Sequence, residues 1–282
     1  MSDEAHETLA HSLHRHDRDR YLTTLFAPAA RRGALVALYA FNFEVAKTRE
    51  IVHEPLLGRI RLQWWRESVD AIYRDLPLRQ HEVVEPLAAA IRRHDLTRYH
   101  FDRLIDAREI DLADEPPASL AALETYAEDT ASRLIHLALE ILEIRDAAAA
   151  EAGRHVGIAW ALTGLIRALP VQARLRRVSL PADLVSESEL DVASVLELKP
   201  TPALARIVQR LAERARFHLA AARAERAAIP HAAVPALLTA RLADFHLRRL
   251  ARASYDPLAP DLARPDTLAG WRLALAAWRR QF

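Results

Sequence analysis

Apolar residues recur every three or four positions in GALVALYAFNFEVAKTREIV, residues 33–52, the spacing that lines one face of an α-helix. The pattern predicts one uninterrupted helix, opened by Arg31 and Arg32 and closed at His53-Glu54-Pro55, because proline lacks an N–H and its ring clashes with the preceding turn. Residues 56–76, LLGRIRLQWWRESVDAIYRDL, predict the next helix, with Ile60, Trp64 and Ile72 facing inward. Trp64 and Trp65 are adjacent and so diverge by about 100° around a helix. One of them packs, and the other is left for a partner surface or an exposed apolar patch.

Further helices are expected over 85–94 and 98–112, separated by a break where Asp95 or Thr97 can cap. After the loop ADEPPAS, Ser119 caps a long amphipathic run over 120–142. The helix over 147–169 is expected to stop or kink at Pro170, leaving 170–184 largely as loop. Three more helical stretches follow, over 203–229, 231–255 and 267–282. Nine or ten helices with short connections and no repeat or flexible linker predict an all-α fold. It is read as a single large helical bundle over 17–282, preceded by a polar N-terminal segment, 1–16. A polar site in such a bundle belongs in a central cavity, where side chains from different helices face one another.

Composition narrows the chemistry. With 282 residues, 51% of them hydrophobic, a sizeable core needs no covalent staples. Cysteine is absent, which removes disulfides, thiolate metal sites and a cysteine nucleophile. The formal net charge is +1 with acids and bases interspersed, unlike the basic footprint of a nucleic-acid binder. Lysine occurs only at Lys47 and Lys199, so the basic side chains are almost all arginine. The N-terminus has no apolar signal core, and no apolar run reaches the ~20 residues expected of a membrane span. A cytoplasmic protein follows, at most peripheral on the inner membrane surface. The histidines at 14, 16, 94 and 100 lack the spacing of a zinc site.

Four stretches taken in order, RYLTTLFAPAARRGALVALYAFNFEVAKTREIV, LIDAREIDL, YAEDTASRLIHLALEIL and HVGIAWALTGLIRALPVQARLRRVSLPADL, resemble the squalene/phytoene synthase family over most of the chain. The resemblance implies the isoprenoid synthase helical bundle. It also implies head-to-head joining of two prenyl diphosphates, with magnesium held by two aspartate-rich motifs on facing helices. Residues i and i+4 share a helix face, so each motif presents paired hard oxygens to a cation that neutralises the leaving diphosphate.

Here the first motif falls on Ala46 and Glu50, and the second on Ala168 and Gln172 with Pro170 between them. Three of the four aspartates are lost and the fourth is a glutamate. Lys47 stands at the edge of the first position, where its charge opposes a divalent cation but suits a phosphate. Glu44 is six residues from Glu50, which on one continuous helix sets the two apart. Arg32 and Arg167 abut apolar segments and need an anion or an internal acid such as Asp106 or Glu109. Arg174 and Arg177, with Arg176, match the family loop near the diphosphate. Glu128 and Asp129 are read as compensating a helix dipole.

The joint pattern in AFNFEVAKTREIV and LQWWRESVDAIY is most similar to a divergent branch of the family, the complex I assembly factors with a phytoene-synthase-like domain. That resemblance implies a non-catalytic protein acting in binding or assembly, with a respiratory complex I subunit or assembly intermediate as partner and no cofactor. Two alternatives stay open. One is an active magnesium-dependent prenyl transferase that recruits Asp106, Glu109 or Asp111 beside Glu50. The other is a protein that binds a prenyl lipid, a diphosphate or a quinone in an apolar cavity.

Overall fold

The computed structural model describes residues 3–52, 54–113, 115–224, 226–264 and 266–282. Among these the regular elements are all helical. They are α1 Asp3–His16, α2 Arg18–Thr24, α3 Ala29–Ala46, α4 Thr48–Ile51, α5 Pro55–Tyr73, α6 Val84–His94, α7 Arg98–Ala107 and α8 Leu120–Ala127. There follow α9 Arg133–Ile141, α10 Ala147–Arg174, α11 Ala182–Glu187, α12 Val192–Leu196, α13 Pro202–Ala224, α14 Val234–Leu237, α15 Thr239–Arg252 and α16 Ala269–Trp278. Several of these are single turns where a longer helix was expected, which raises the number of elements without changing the class.

The bundle forms around α10, which packs along α13 and also meets α9 and α15. α10 is the one helix among the described residues long and apolar enough to cross a membrane, contrary to the sequence expectation of none. More than half of its apolar window, 56%, is buried inside the bundle, as befits a central core helix. Gly153 and Gly157 let it approach α9 and the segment before it. A Cβ on Gly157 would strike the backbone of Ser132, so only hydrogen fits between the two chains there. At that contact the helix begun by α8 widens into a π turn over Glu128–Ser132 before continuing as α9. Ser132 Oγ donates to the Arg154 carbonyl at 2.7 Å, tying the π turn to α10.

Several expectations are corrected. From Asp3 the N-terminal segment is a helix, and Leu9 and Leu13, one turn apart, are 3% and 2% exposed against the core. The helix expected over 33–52 breaks at Lys47, dividing α3 from α4. Ile60 faces outward at 57% exposure, next to exposed Leu56 and Leu57, whereas Ile72 is buried as expected. Pro170 does not end α10, which runs on to Arg174. The stretch 231–255 divides into α14 and α15. Ser119 does cap α8, its side chain accepting the Ala122 amide at 3.2 Å. Thr97 begins α7 without a side-chain cap, its hydroxyl bonding Glu140 instead.

Candidate functional site

The first motif region centres on Glu44, which the sequence reading set aside. It lies in the last turns of α3 between Phe43 and buried Val45, and is itself 5% exposed. A carboxylate so placed is tolerable only if paired. Lys47 Nζ donates to Glu44 Oε1, and Arg61 from α5 donates to Oε2 at 2.8 Å. His81 Nε2 stands 3.8 Å from the same Oε2. His81 Nδ1 accepts the Val83 amide at 3.2 Å, which leaves the ring hydrogen on Nε2, directed at the carboxylate. The ring is set between Trp65, centroids 5.1 Å apart, and Trp64, 5.5 Å apart. Trp65 is the fully buried partner; Trp64 is half-buried, covered by His81 and the Arg79 guanidinium rather than lying open.

These groups line a cleft of ≈ 650 Å³ between the end of α1, the α3–α4 junction and α5. Glu50 lines it too, although it is six residues from Glu44 and lies past the break at Lys47. Glu50 is exposed and Glu44 buried, so they do not form a matched pair. His16 stacks on Phe43 with ring centroids 4.8 Å apart, closing one side of the cleft with α1. Ala46 is half-buried and supplies no oxygen at its motif position.

On α10, Ala168 and Gln172 are half-buried, and neither lines the cleft around Glu44. The Gln172 Oε1 is buried with no hydrogen-bond partner, a neutral acceptor at a position where the resemblance implies an aspartate. Arg167 is exposed and pairs with Asp19 of α2 at 3.0 Å, its guanidinium 5.8 Å from the Trp160 ring centre. Arg32 is likewise exposed, and its Nε donates to the Ala27 carbonyl at 3.0 Å. Arg174 is exposed and Arg177 half-buried beyond the end of α10. Neither Arg32 nor Arg167 uses Asp106 or Glu109, which both pair with Arg66. Asp111 is held by Arg108 at 3.1 Å and by the Tyr126 hydroxyl at 2.7 Å. The three acids that an active site would recruit are thus committed elsewhere and lie outside the cleft.

Glu128 and Asp129 are also reassigned. They sit in the π turn at mid-helix, not at a helix start, with Asp129 bound by Arg103 and Arg133 and Glu128 by Arg133 and Arg154.

Magnesium demands several oxygens in near-octahedral order. At the first motif both oxygens of the buried carboxylate already face a cation of the chain itself, and at the second Gln172 offers one amide oxygen while Ala168 has no donor atom. Among the described residues no group of three or more His, Asp or Glu side chains is arranged to hold a metal. The residues present do not fit the ion. Arg61 and His81 were missed in the sequence, and Glu44 was weighed only as a partner of Glu50, although an acid embedded in the apolar run YAFNFEVA was the available signal.

Comparison with known proteins matches residues 13–279 to squalene/phytoene synthase. The complex I assembly factor 6 of Bos taurus is 35% identical over 270 residues, covering 96% of this chain and 81% of that protein. A presqualene diphosphate synthase of Rhodopseudomonas palustris is 28% identical over 204 residues, 72% of each chain. Among solved structures, a dehydrosqualene synthase in complex with ligand superposes with a TM-score of 0.84 at 15% identity, over 98% of this chain and 96% of the other. That last likeness speaks for the fold.

Proposed function

The chain belongs to the squalene/phytoene synthase family, and from that premise we propose that it keeps the family frame without the metal chemistry and serves in the assembly of respiratory complex I. The observation that carries this reading is the neutralised carboxylate. Where the resemblance implies a magnesium helix, Lys47 and Arg61 saturate Glu44, and among the described residues the acids lining the cleft, Glu44, Glu50 and Glu82, do not form a group arranged to hold a metal. The similarity to assembly factor 6 of Bos taurus, extending over nearly the whole chain, supplies the direction of the proposal.

Two measurements test it. Purified protein with magnesium and farnesyl or geranylgeranyl diphosphate is expected to release no diphosphate; robust formation of squalene or phytoene overturns the non-catalytic reading. Deletion of the gene in its host is expected to lower NADH:quinone oxidoreductase activity and assembled complex I, with succinate oxidation unchanged. Normal complex I in that strain overturns the assembly role.

A second reading is favoured by one feature of α10. Ala161, Gly164, Leu165 and Ala168 share one face and are only half-buried, and a Cβ on Gly164 would meet open space. This apolar stripe suits retention of an isoprenoid or quinone chain. Such binding raises the unfolding temperature on adding ligand, and an unchanged temperature with farnesol, squalene and ubiquinone counts against it.

A further inference from the structure

The last helix of the chain is apolar on two opposite sides. Ala269, Leu273 and Ala276 are 2% exposed or less and anchor α16 to the bundle. On the far side, Leu268, Trp271, Leu275 and Trp278 fall within about 80° around the axis. Both tryptophans are 78% exposed. A stripe containing two open indoles is not the scattered apolar exposure of an ordinary surface.

Charge says what covers it. From Thr267 to Phe282 there is no acidic residue, and the three charged side chains are Arg272, Arg279 and Arg280. Arg279 falls at the margin of the stripe by helical phase, whereas Arg272 beside it is turned inward, its guanidinium 4.0 Å from the Phe245 ring centre. The nearest acid in sequence, Asp266, is turned inward and bound by Arg272 at 2.5 Å. Past the end of α16, Arg280 lines a cleft of ≈ 670 Å³ together with Arg223, Arg226 and His231. Arg223 is matched there by Asp244, 2.7 Å away. Arg241 sits in the same neighbourhood. Burial first, and then the crowding of Arg223, Arg248 and Arg226, hold its guanidinium below the ordinary arginine range against the pull of Asp244.

We propose that α16 is a membrane-surface helix, with Leu268, Trp271, Leu275 and Trp278 inserted among the acyl chains just below anionic lipid headgroups and Arg279 and Arg280 at its end paired with the phosphates. Indole is the side chain that settles at a headgroup boundary, apolar in body and with one N–H to donate. An apolar face rimmed by arginines binds in the plane of an anionic membrane. The segment itself carries charge of one sign only, which suits an anionic surface. The inference concerns a surface of the molecule and does not rest on the assembly role.

The test is flotation of the purified full chain with vesicles of phosphatidylcholine mixed with an equal part of phosphatidylglycerol, and with vesicles of phosphatidylcholine alone. The chain is expected to float with the anionic vesicles, to shift its tryptophan emission to shorter wavelength, and to be released by high salt. The double substitution Trp271→Ser and Trp278→Ser is expected to weaken binding about tenfold or more while leaving circular dichroism and the unfolding midpoint in place. Arg279→Glu is expected to weaken binding to anionic vesicles specifically. Failure of the unaltered chain to float with anionic vesicles at low salt overturns the proposal. So does undiminished flotation of the folded double variant. A concentration-dependent dimer that the tryptophan substitutions abolish, without vesicle binding, assigns the stripe to a second copy and overturns it equally.

Discussion

Glu44 illustrates how a single buried charge organises its surroundings. Replacing it by alanine strands Lys47 and Arg61 beside an apolar wall, although both can still reach water, at 25% and 29% side-chain exposure. Glu44→Ala is expected to lower stability by about 1–3 kcal/mol in urea unfolding. In that background Lys47→Met should cost less than it does in the intact chain, and a double-mutant cycle without coupling would refute the pairing. Glu44 was legible in principle, since an acid inside an apolar run must find a partner. Arg61 and His81 were not, because only the folded chain brings α5 and the segment after it to that acid. Two histidines carry a second prediction. Burial, then His136 and Arg133, push His100 down to about 4, and burial, then Arg167, Arg249 and Arg272, push His246 down to about 3. Both folded values lie below the ordinary ~6.5, so protonation favours the unfolded chain. Their stabilising effect is complete above about pH 6.5 and is lost as pH falls toward the folded values. Between pH 7 and pH 5, stability should fall with a slope of at most about 1.4 kcal/mol per pH unit for each, reduced by partial exposure. His100→Gln should flatten the urea midpoint over that range.

Elements were read well where helical periodicity alone determined them, as in α5, α6 and α13, and read poorly where tertiary contact altered the helix. The π turn at Glu128–Ser132 has no glycine or proline to announce it; the close approach it makes is to Gly157, twenty-odd positions away in sequence and in backbone contact in space. The break at Lys47 is equally silent, since Ala46, Lys47 and Thr48 contain no strong helix breaker. Two alanine substitutions on α10 separate these effects. Gly157→Ala forces the helix away from the Ser132 backbone and is expected to cost about 2–4 kcal/mol. Gly164→Ala meets open space inside a helix and is expected to be neutral or to stabilise by up to about 1 kcal/mol. Thermal or urea unfolding of the pair checks both, and equal effects would contradict the packing described for α10.

At the scale of the molecule, the all-α class followed from periodicity, few glycines and no strand-like alternation, whereas the two faces of α16 did not, because an apolar helix reads the same whether a face is covered or bare. The buried side chains form one connected core that includes Leu9 and Leu13 of α1. Leu13→Ala is therefore expected to cost about 2–5 kcal/mol and to shift one common unfolding transition, seen alike by circular dichroism and tryptophan emission. A separate early transition for α1 would show that it is an appendage. The junction between α3 and α4 has a broader consequence. An ammonium and a guanidinium that belong to the chain cannot be chelated, diluted or exchanged for another ion. The closure around Glu44 is thereby independent of the divalent-ion content of its surroundings, and EDTA should leave the melting temperature where it was.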